Sequence, residues 1–251
     1  MSTDCSEKSN PVEEARIDLA AALRWADRLG LSEGICNHFS LAVPGGSNEF
    51  LLNPQGLHWS EIRPQDLIIV DADGNLIEGD YPAEPTAFFI HSRIHLAKPS
   101  AKCVMHVHAP YSTALCCIEN GGLQWCSQNS LRYFGRVAYD GDYNGMALDQ
   151  AEGDRIGAGL GDADILFLAA HGVVVTGQSV SHAFDDLYYL ERAARNQVLA
   201  MSTGQPLRII PEEICEATAA QIASERQQSD LHLTAIRRIL STECPDFSKS
   251  S

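Results

Sequence analysis

Four side chains in this sequence have the types and spacing to hold a metal ion and to move a proton beside it. Val104-Met105-His106-Val107-His108 reads as a strand. Side chains alternate across a strand, so His106 and His108 project to the same side and can chelate one ion. A His-x-His pair alone would read equally well as two histidines on a polar sheet face. His171 stands before Gly172 between two apolar runs, where a lone histidine would ordinarily be a turn residue. Three imidazoles together leave coordination positions open, the arrangement of a catalytic metal site and not of a closed structural one. Glu84, in Tyr81-Pro82-Ala83-Glu84-Pro85, opens a predicted helix, where a carboxylate ordinarily caps the first turn or complements the helix dipole. Beside a metal, the same carboxylate becomes an acid/base group.

The elements that must position these groups follow from the apolar pattern. Asn10-Pro11 supplies an N-cap and a first-turn proline, and Leu19, Ala22, Leu23, Ala26 and Leu29 recur at helical spacing until Gly30. Short apolar runs at 39–43, 50–52 and 67–70 predict strands, with a turn at 71–75 leading into Leu76-Ile77. A helix is expected over 85–97, closed by Pro99, and a strand over 103–108 followed by an Ala- and Cys-rich helical stretch. Further on, the pattern predicts a helix over 149–160, strands at 165–169 and 173–176 flanking His171-Gly172, and a long helix over 179–203. Two more helices, near 211–227 and 229–240, complete the chain. Residues 1–10 are small and polar and are expected to be a disordered tail. The expected organisation is one domain over 11–204 and a helical extension over 205–251 packed on it.

The ordered set Glu84, His106-x-His108, His171-Gly172-Val173-Val174-Val175 and a long helix resembles the class II aldolase/adducin family over roughly residues 13–203. The segments Asn37-His38-Phe39, Leu52-Asn53-Pro54-Gln55-Gly56-Leu57 and Tyr188-Tyr189-Leu190-Glu191 look closest to its adducin-like branch. The resemblance implies an α/β fold, a three-layer α/β/α sandwich around a mainly antiparallel sheet. It also implies a homotetramer with active sites at subunit boundaries. Carried over by position, His106, His108 and His171 match the family's metal ligands and Glu84 its acid/base carboxylate. One divalent ion per subunit is implied, zinc first, with manganese, cobalt or iron as alternatives. The sugar-phosphate aldolases of the family grip phosphate with Gly-Asn, Ser-Gly and Ser-Ser pairs. Here those places hold Asn37-His38, Gln55-Gly56 and Pro82-Ala83, which removes donors suited to a dianion. Asn37, His38, Gln55 and Gly56 are therefore expected to bind a substrate that carries no phosphate.

Other groups invite a role. Arg132 and Arg136, in a stretch dense in aromatic and cationic residues, are candidates to bind a substrate carboxylate through paired N–H donors; the alternative is a salt bridge. Tyr139 or Tyr143 could donate a proton across a subunit boundary, as tyrosines do in the aldolases, and no motif decides which. His58 either reaches the pocket or covers a helix. His91, His95 and His182 sit on predicted helices and are expected to face solvent or satisfied polar neighbours. Asp185 and Asp186 are expected on the solvated face of the long helix, away from Phe184, Leu187 and Glu191.

Composition narrows the partners. The 251 residues carry 18 Lys and Arg against 33 Asp and Glu, a net charge of −15, which would repel a phosphate backbone, so nucleic acid and anionic membrane are poor partners. The eight cysteines are scattered without a CxxC pair and no secretory signal is recognisable, which predicts reduced thiols in a cytoplasm. The expected function is a metal-dependent lyase performing aldol-type carbon–carbon cleavage on a small non-phosphorylated hydroxy- or oxo-acid. Decarboxylation and non-haem iron oxygenation suit the same site, and a non-catalytic adducin-like interaction domain is the non-enzymatic alternative.

Overall fold

The computed structural model describes residues 10–245 and 247; the predicted N-terminal tail, Asn10 excepted, lies outside the described residues. Helix α1 (Pro11–Arg28) starts where the Asn10 side chain accepts from the Val12 N–H at 3.1 Å, and Leu19, Ala22, Leu23 and Ala26 form its buried stripe. Gly30 ends it in the left-handed region at φ +71, a conformation that glycine adopts without steric cost. Eight strands follow in one sheet: β1 (His38–Ala42), β2 (Glu49–Leu52), β3 (Ile68–Asp71), β4 (Leu76–Glu78), β5 (Cys103–Val107), β6 (Val137–Asp140), β7 (Ile165–Leu168) and β8 (Gly172–Gly177). Their order is β4-β3-β2-β1-β5-β8-β7-β6. All pairings are antiparallel except β6 with β7.

Helices cover both faces. Cys103, Met105 and Val107 of β5 point into the larger core with α1, α3 (Pro110–Cys116), α6 (Val180–Met201) and α8 (Gln227–Glu243). Val104 of β5 packs on the other face with α2 (Pro85–Ala97) and α5 (Gln150–Leu160). His106 lies on the Val104 face by the two-residue period of the strand. The expected three-layer α/β/α sandwich around a mainly antiparallel sheet is thus observed. Short α4 (Gln128–Leu131) and α7 (Glu212–Ser224) pack on each other, and α8 packs on α1 and α6.

Strand β6 was not expected. Its four residues, Val-Ala-Tyr-Asp, are half-buried at most, so no apolar run announces it. It joins the sheet edge because α5 returns the chain through a crossover, which allows parallel pairing with β7. Among the described residues no helix is long and apolar enough to cross a membrane.

Candidate metal and proton-transfer site

The central strand pairs bring the predicted ligands together. Antiparallel pairing sets Val107 of β5 opposite Val173 of β8, so the β7–β8 turn, with Ala170 at φ 54, delivers His171 beside the end of β5. Gly172 makes this approach possible, because a Cβ there would meet the Val107 carbonyl oxygen at 2.5 Å and His108 Cδ2 at 2.8 Å. The rings of His106, His108 and His171 then stand 4.7–5.0 Å apart between centroids, with one nitrogen of each within 4.8 Å of the others.

Their hydrogen bonds fix which nitrogens are free. His106 Nδ1 lies 3.1 Å from the Val173 carbonyl oxygen, which can only accept, and His108 Nδ1 lies 2.6 Å from Glu33 Oε2. Each Nδ1 therefore carries the proton, and burial holds His106 neutral by pushing its pKa well below the ordinary value. The Nε2 atoms of His106 and His108 lie 3.2 Å apart. Two ligands of a tetrahedral zinc ion bound at about 2.0–2.1 Å sit roughly 3.3 Å apart, so this separation suits a shared cation. His171 is held down to about 4, by burial first and by His108 and His38 second, and is neutral as a ligand must be. The donor set fits a divalent ion.

Glu84 forms the N-cap of α2, so the capping and the chemical readings of this residue both hold. Its Oε2 accepts from the Ala87 N–H at 2.7 Å and from the Thr86 hydroxyl, and lies 3.3 Å from His38 Nε2. Burial alone would raise its pKa, but the His38, Thr86 and Ala87 hydrogen bonds outweigh it and hold the carboxyl at about 2. The resting group is therefore a carboxylate poised to accept a proton.

Asn37, His38, Gln55, Glu84, His106, His108 and His171 line one cavity of about 300 Å³. Asn37 is held at φ 73, and its side-chain oxygen accepts from the His108 N–H at 3.2 Å, tying β1 to the ligand segment. Gly56 is exposed beside Gln55 and does not line the cavity. Tyr143 does, with its ring 6.3 Å from His171, whereas the Tyr139 hydroxyl donates to the Leu123 carbonyl; of the two tyrosines only Tyr143 faces this cavity. Half-buried His58 bonds to Ser60 and stands outside it.

Two expectations are corrected. Arg132 and Arg136 do not reach the cavity. Arg132 pairs with Asp185 at 2.9 Å, and Arg136 with Asp164 and Asp186 at 2.8 Å each. Asp185 and Asp186 are buried, not solvated, at 2% and 0% exposure. Helical spacing turned them away from the Phe184 stripe, but in the direction of three arginines rather than of water. His91 and His95 are also buried, bonded to Ser40. The sequence reading missed Glu33 and Thr86, which orient His108 and Glu84. A loop acid and a helix threonine carry no pattern of their own, and only the tertiary contact marks them.

Known proteins are similar to this chain in structure or in sequence. A solved aldolase II superfamily protein from Pseudomonas syringae superposes with a TM-score of 0.87 at 33% identity, covering 97% of this chain and 98% of that one. Decarboxylase NovR of Streptomyces niveus is 30% identical over 87% of this chain and 83% of its own. Rat (Rattus norvegicus) alpha-adducin is 34% identical over 78% of this chain but 27% of its own length. Residues 17–198, which carry the three imidazoles and Glu84, match the Class II Aldolase and Adducin N-terminal domain, and the chain belongs to the class II aldolase/adducin family.

Proposed function

We propose that this protein is a divalent-metal-dependent lyase that cleaves a carbon–carbon bond in a small non-phosphorylated hydroxy- or oxo-acid. The observation that carries the reading is the grouping of one nitrogen each of His106, His108 and His171 within 4.8 Å, beside an ionised carboxylate in the same cavity. His106, His108 and His171 would hold the ion, zinc in the first instance. Bound there, a divalent ion supplies Lewis-acid polarisation of substrate oxygen and offsets the negative charge that develops as the bond breaks. Glu84 takes the proton of the substrate hydroxyl as the carbon–carbon bond opens, and returns it to the carbon left electron-rich. Asn37, Gln55 and His38 offer amide and imidazole groups to the rest of the substrate. No Lys or Arg is among the described residues lining the cavity, which supports a substrate without phosphate.

Decarboxylation is the second reading, favoured by the similarity to a decarboxylase over most of both chains. It needs the same electron sink, with carbon dioxide leaving in place of an aldehyde. Residues 11–204 are read as the catalytic unit and 205–251 as an extension on it. Ile35, Tyr143, Met146 and Leu148 are exposed by half or more, three of them at the cavity wall, which supports assembly around the site, read as a homotetramer. Metal analysis of protein purified without added metal tests the proposal, together with product detection from a panel of hydroxy- and oxo-acids. About one zinc, manganese or cobalt per chain and aldehyde release are expected. Carbon dioxide release would select the decarboxylase, iron with oxygen uptake would point to oxygenation, and absence of metal under all conditions would return the chain to an interaction domain.

A further inference from the structure

One wall of the cavity, beside His171, comes from the segment 141–148 between β6 and α5, which contributes Tyr143, Gly145, Met146 and Ala147. The segment has little of its own to hold it. It forms no helix or strand, and among the described residues its one internal backbone hydrogen bond runs from the Leu148 N–H to the Met146 carbonyl at 2.9 Å. Gly145 sits at φ 103 with open space where a side chain would be, and Tyr143 and Met146 are exposed by 55% and 66%. Ala147 alone is sunk into the core, in one cluster with Ile90 and Ile156. A stretch with so few buried contacts ordinarily opens locally at little cost.

One side chain ties the two ends of this segment together. Arg155, in the second turn of α5, donates from Nε and Nη2 to the two carboxylate oxygens of Glu152 at 2.8 and 2.7 Å, and from Nη1 to Asp140 Oδ2 at 2.5 Å. Asp140 is the last residue of β6, and its Oδ1 accepts from the Asp142 N–H at 3.2 Å. Glu152 also accepts from the Asn144 side chain. A Glu and an Arg three residues apart on a helix pair without help from any loop. The reach to Asp140, 15 residues back, turns that pair into a clamp. Both acids are mostly buried, with side chains 9% and 15% exposed, and a guanidinium fork can meet three oxygens in fixed directions where an ammonium cannot. Without it, two like charges would face each other across the ends of the segment. Engaged in this way, Arg155 is no free cation for a substrate; its use is to hold.

We infer that Arg155 is a positioning residue: by holding Asp140 and Glu152 together it fixes the 141–148 segment as a standing wall of the cavity, which therefore has its shape before metal or substrate arrives. Neither Arg155 nor its two acids are among the described residues lining the cavity, so the effect travels through the segment from Tyr143 to Ala147. Its consequence for substrate rests on the metal-dependent lyase reading of this cavity, whereas the clamp is read on metal-free protein. The two ideas therefore fail separately.

Chymotrypsin cleavage after Tyr143 or Leu148 in the metal-free full-length protein tests the clamp, because a segment must leave the wall to enter a protease. In Arg155→Met, cleavage there should quicken about 10-fold or more, while cleavage at other sites keeps its parental rate. Arg155→Lys keeps the charge but cannot span three oxygens, and should be cut in this segment nearly as fast. Where Arg155→Met is cut at all sites alike, Arg155→Lys decides. Parental rates in both variants, or a full return to the parental rate in Arg155→Lys, would overturn the inference. With cobalt bound, the visible absorption of the metal follows titration with glycolate, the smallest 2-hydroxy acid, and with mandelate, whose phenyl ring is large enough to reach the wall. Arg155→Met should weaken mandelate binding about 10-fold and leave glycolate binding and cobalt affinity within about 2-fold of the parent. Equal weakening of both acids would mean a general loosening of the site and would overturn the positioning role. No response of the parent to either acid would set aside the hydroxy-acid reading of the cavity and leave the cleavage rates to decide the clamp.

Discussion

Two dense clusters of ionisable side chains among the described residues are built on opposite rules. At one end of β8, His106, His108 and His171 each turn one nitrogen to within 4.8 Å of the others. At the other end, Arg132, Arg136 and Arg226 surround Asp164, Asp185 and Asp186 with every carboxylate paired. Arg226 alone holds both oxygens of Asp186 at 2.6–2.8 Å. The second cluster also borders the larger cavity, about 480 Å³ against about 300 Å³. Cavity size and charge density therefore do not single out the reactive end. The convergence of three imidazole nitrogens does, because a structural network is complete without a ligand and a binding site is not.

The sharpest break of this contrast is at the incomplete end. His171→Ala should reduce bound metal from about one per chain to near zero and abolish turnover, read by metal analysis and by product formation on the same sample. Thermal unfolding of the metal-free variant should stay close to that of the metal-free parent, since no hydrogen bond of the His171 ring holds the fold among those observed. Full metal retention would show that the three imidazoles are not one site. Glu84→Gln comes next: turnover should fall about 10²–10⁴-fold, the range for a positioned acid/base group, with metal content unchanged. Joint loss of metal and turnover, or loss of neither, would remove the proton-moving role.

At the complete end the readouts exchange places. Asp186→Ala leaves Arg136 and Arg226 without their shared carboxylate and should destabilise the protein by about 3–5 kcal/mol, while metal content per folded molecule stays at its parental value. Denaturant unfolding measures it. Burial of Asp186 favours the neutral acid, but the Arg226 and Arg136 charges and hydrogen bonds outweigh it and depress its pKa. A depressed folded-state pKa contributes stability above the unfolded value, near about 3.9, and that contribution is lost as pH falls through the folded value. The gap between parent and variant should accordingly be widest near neutrality and close below about pH 4. A gap that widened in acid would reverse the sign and discard the ion-pair account.

The same contrast explains what could be read from the sequence. His106, His108 and Glu84 were legible because a two-residue alternation and a helix start fix side-chain direction locally; helix α2 forms over the expected residues, and strand β5 stops at Val107, one residue short of the expected run, with His108 just beyond it. His171 was legible only as part of the ordered family pattern, since alone it reads as a turn residue; the close approach of Gly172 to Val107 shows why the turn holds it there. Arg132, Arg136, Asp185 and Asp186 were misread because charge says nothing of its partner: an arginine near a site and an arginine paired beneath a helix look alike until the fold sets their distances. Ser40, His91 and His95 look like unrelated residues on a strand and a helix, and only the packing of α2 on β1 joins them.

Glu33 lies between the two rules and gives the smallest and most discriminating effect. Its carboxylate accepts from His108 Nδ1 at 2.6 Å, as the Val173 carbonyl does for His106, so it belongs to the site that orients ligands. Its side chain is nevertheless 61% exposed, like a surface ion pair worth about 0–1 kcal/mol. Partners that orient metal-bound imidazoles ordinarily contribute about 10–100-fold in affinity, and solvent screening puts Glu33 at the lower edge of that range. Glu33→Ala should weaken metal binding about 10-fold in competition titration against a chelator. Glu33→Gln, which keeps an accepting oxygen but not the charge, should recover most of it. Equal loss in both variants would mean that the negative charge matters and the fixed tautomer does not. Unchanged affinity in both would place Glu33 with the inert surface pairs and leave the Asn37 contact to the backbone as what positions His108.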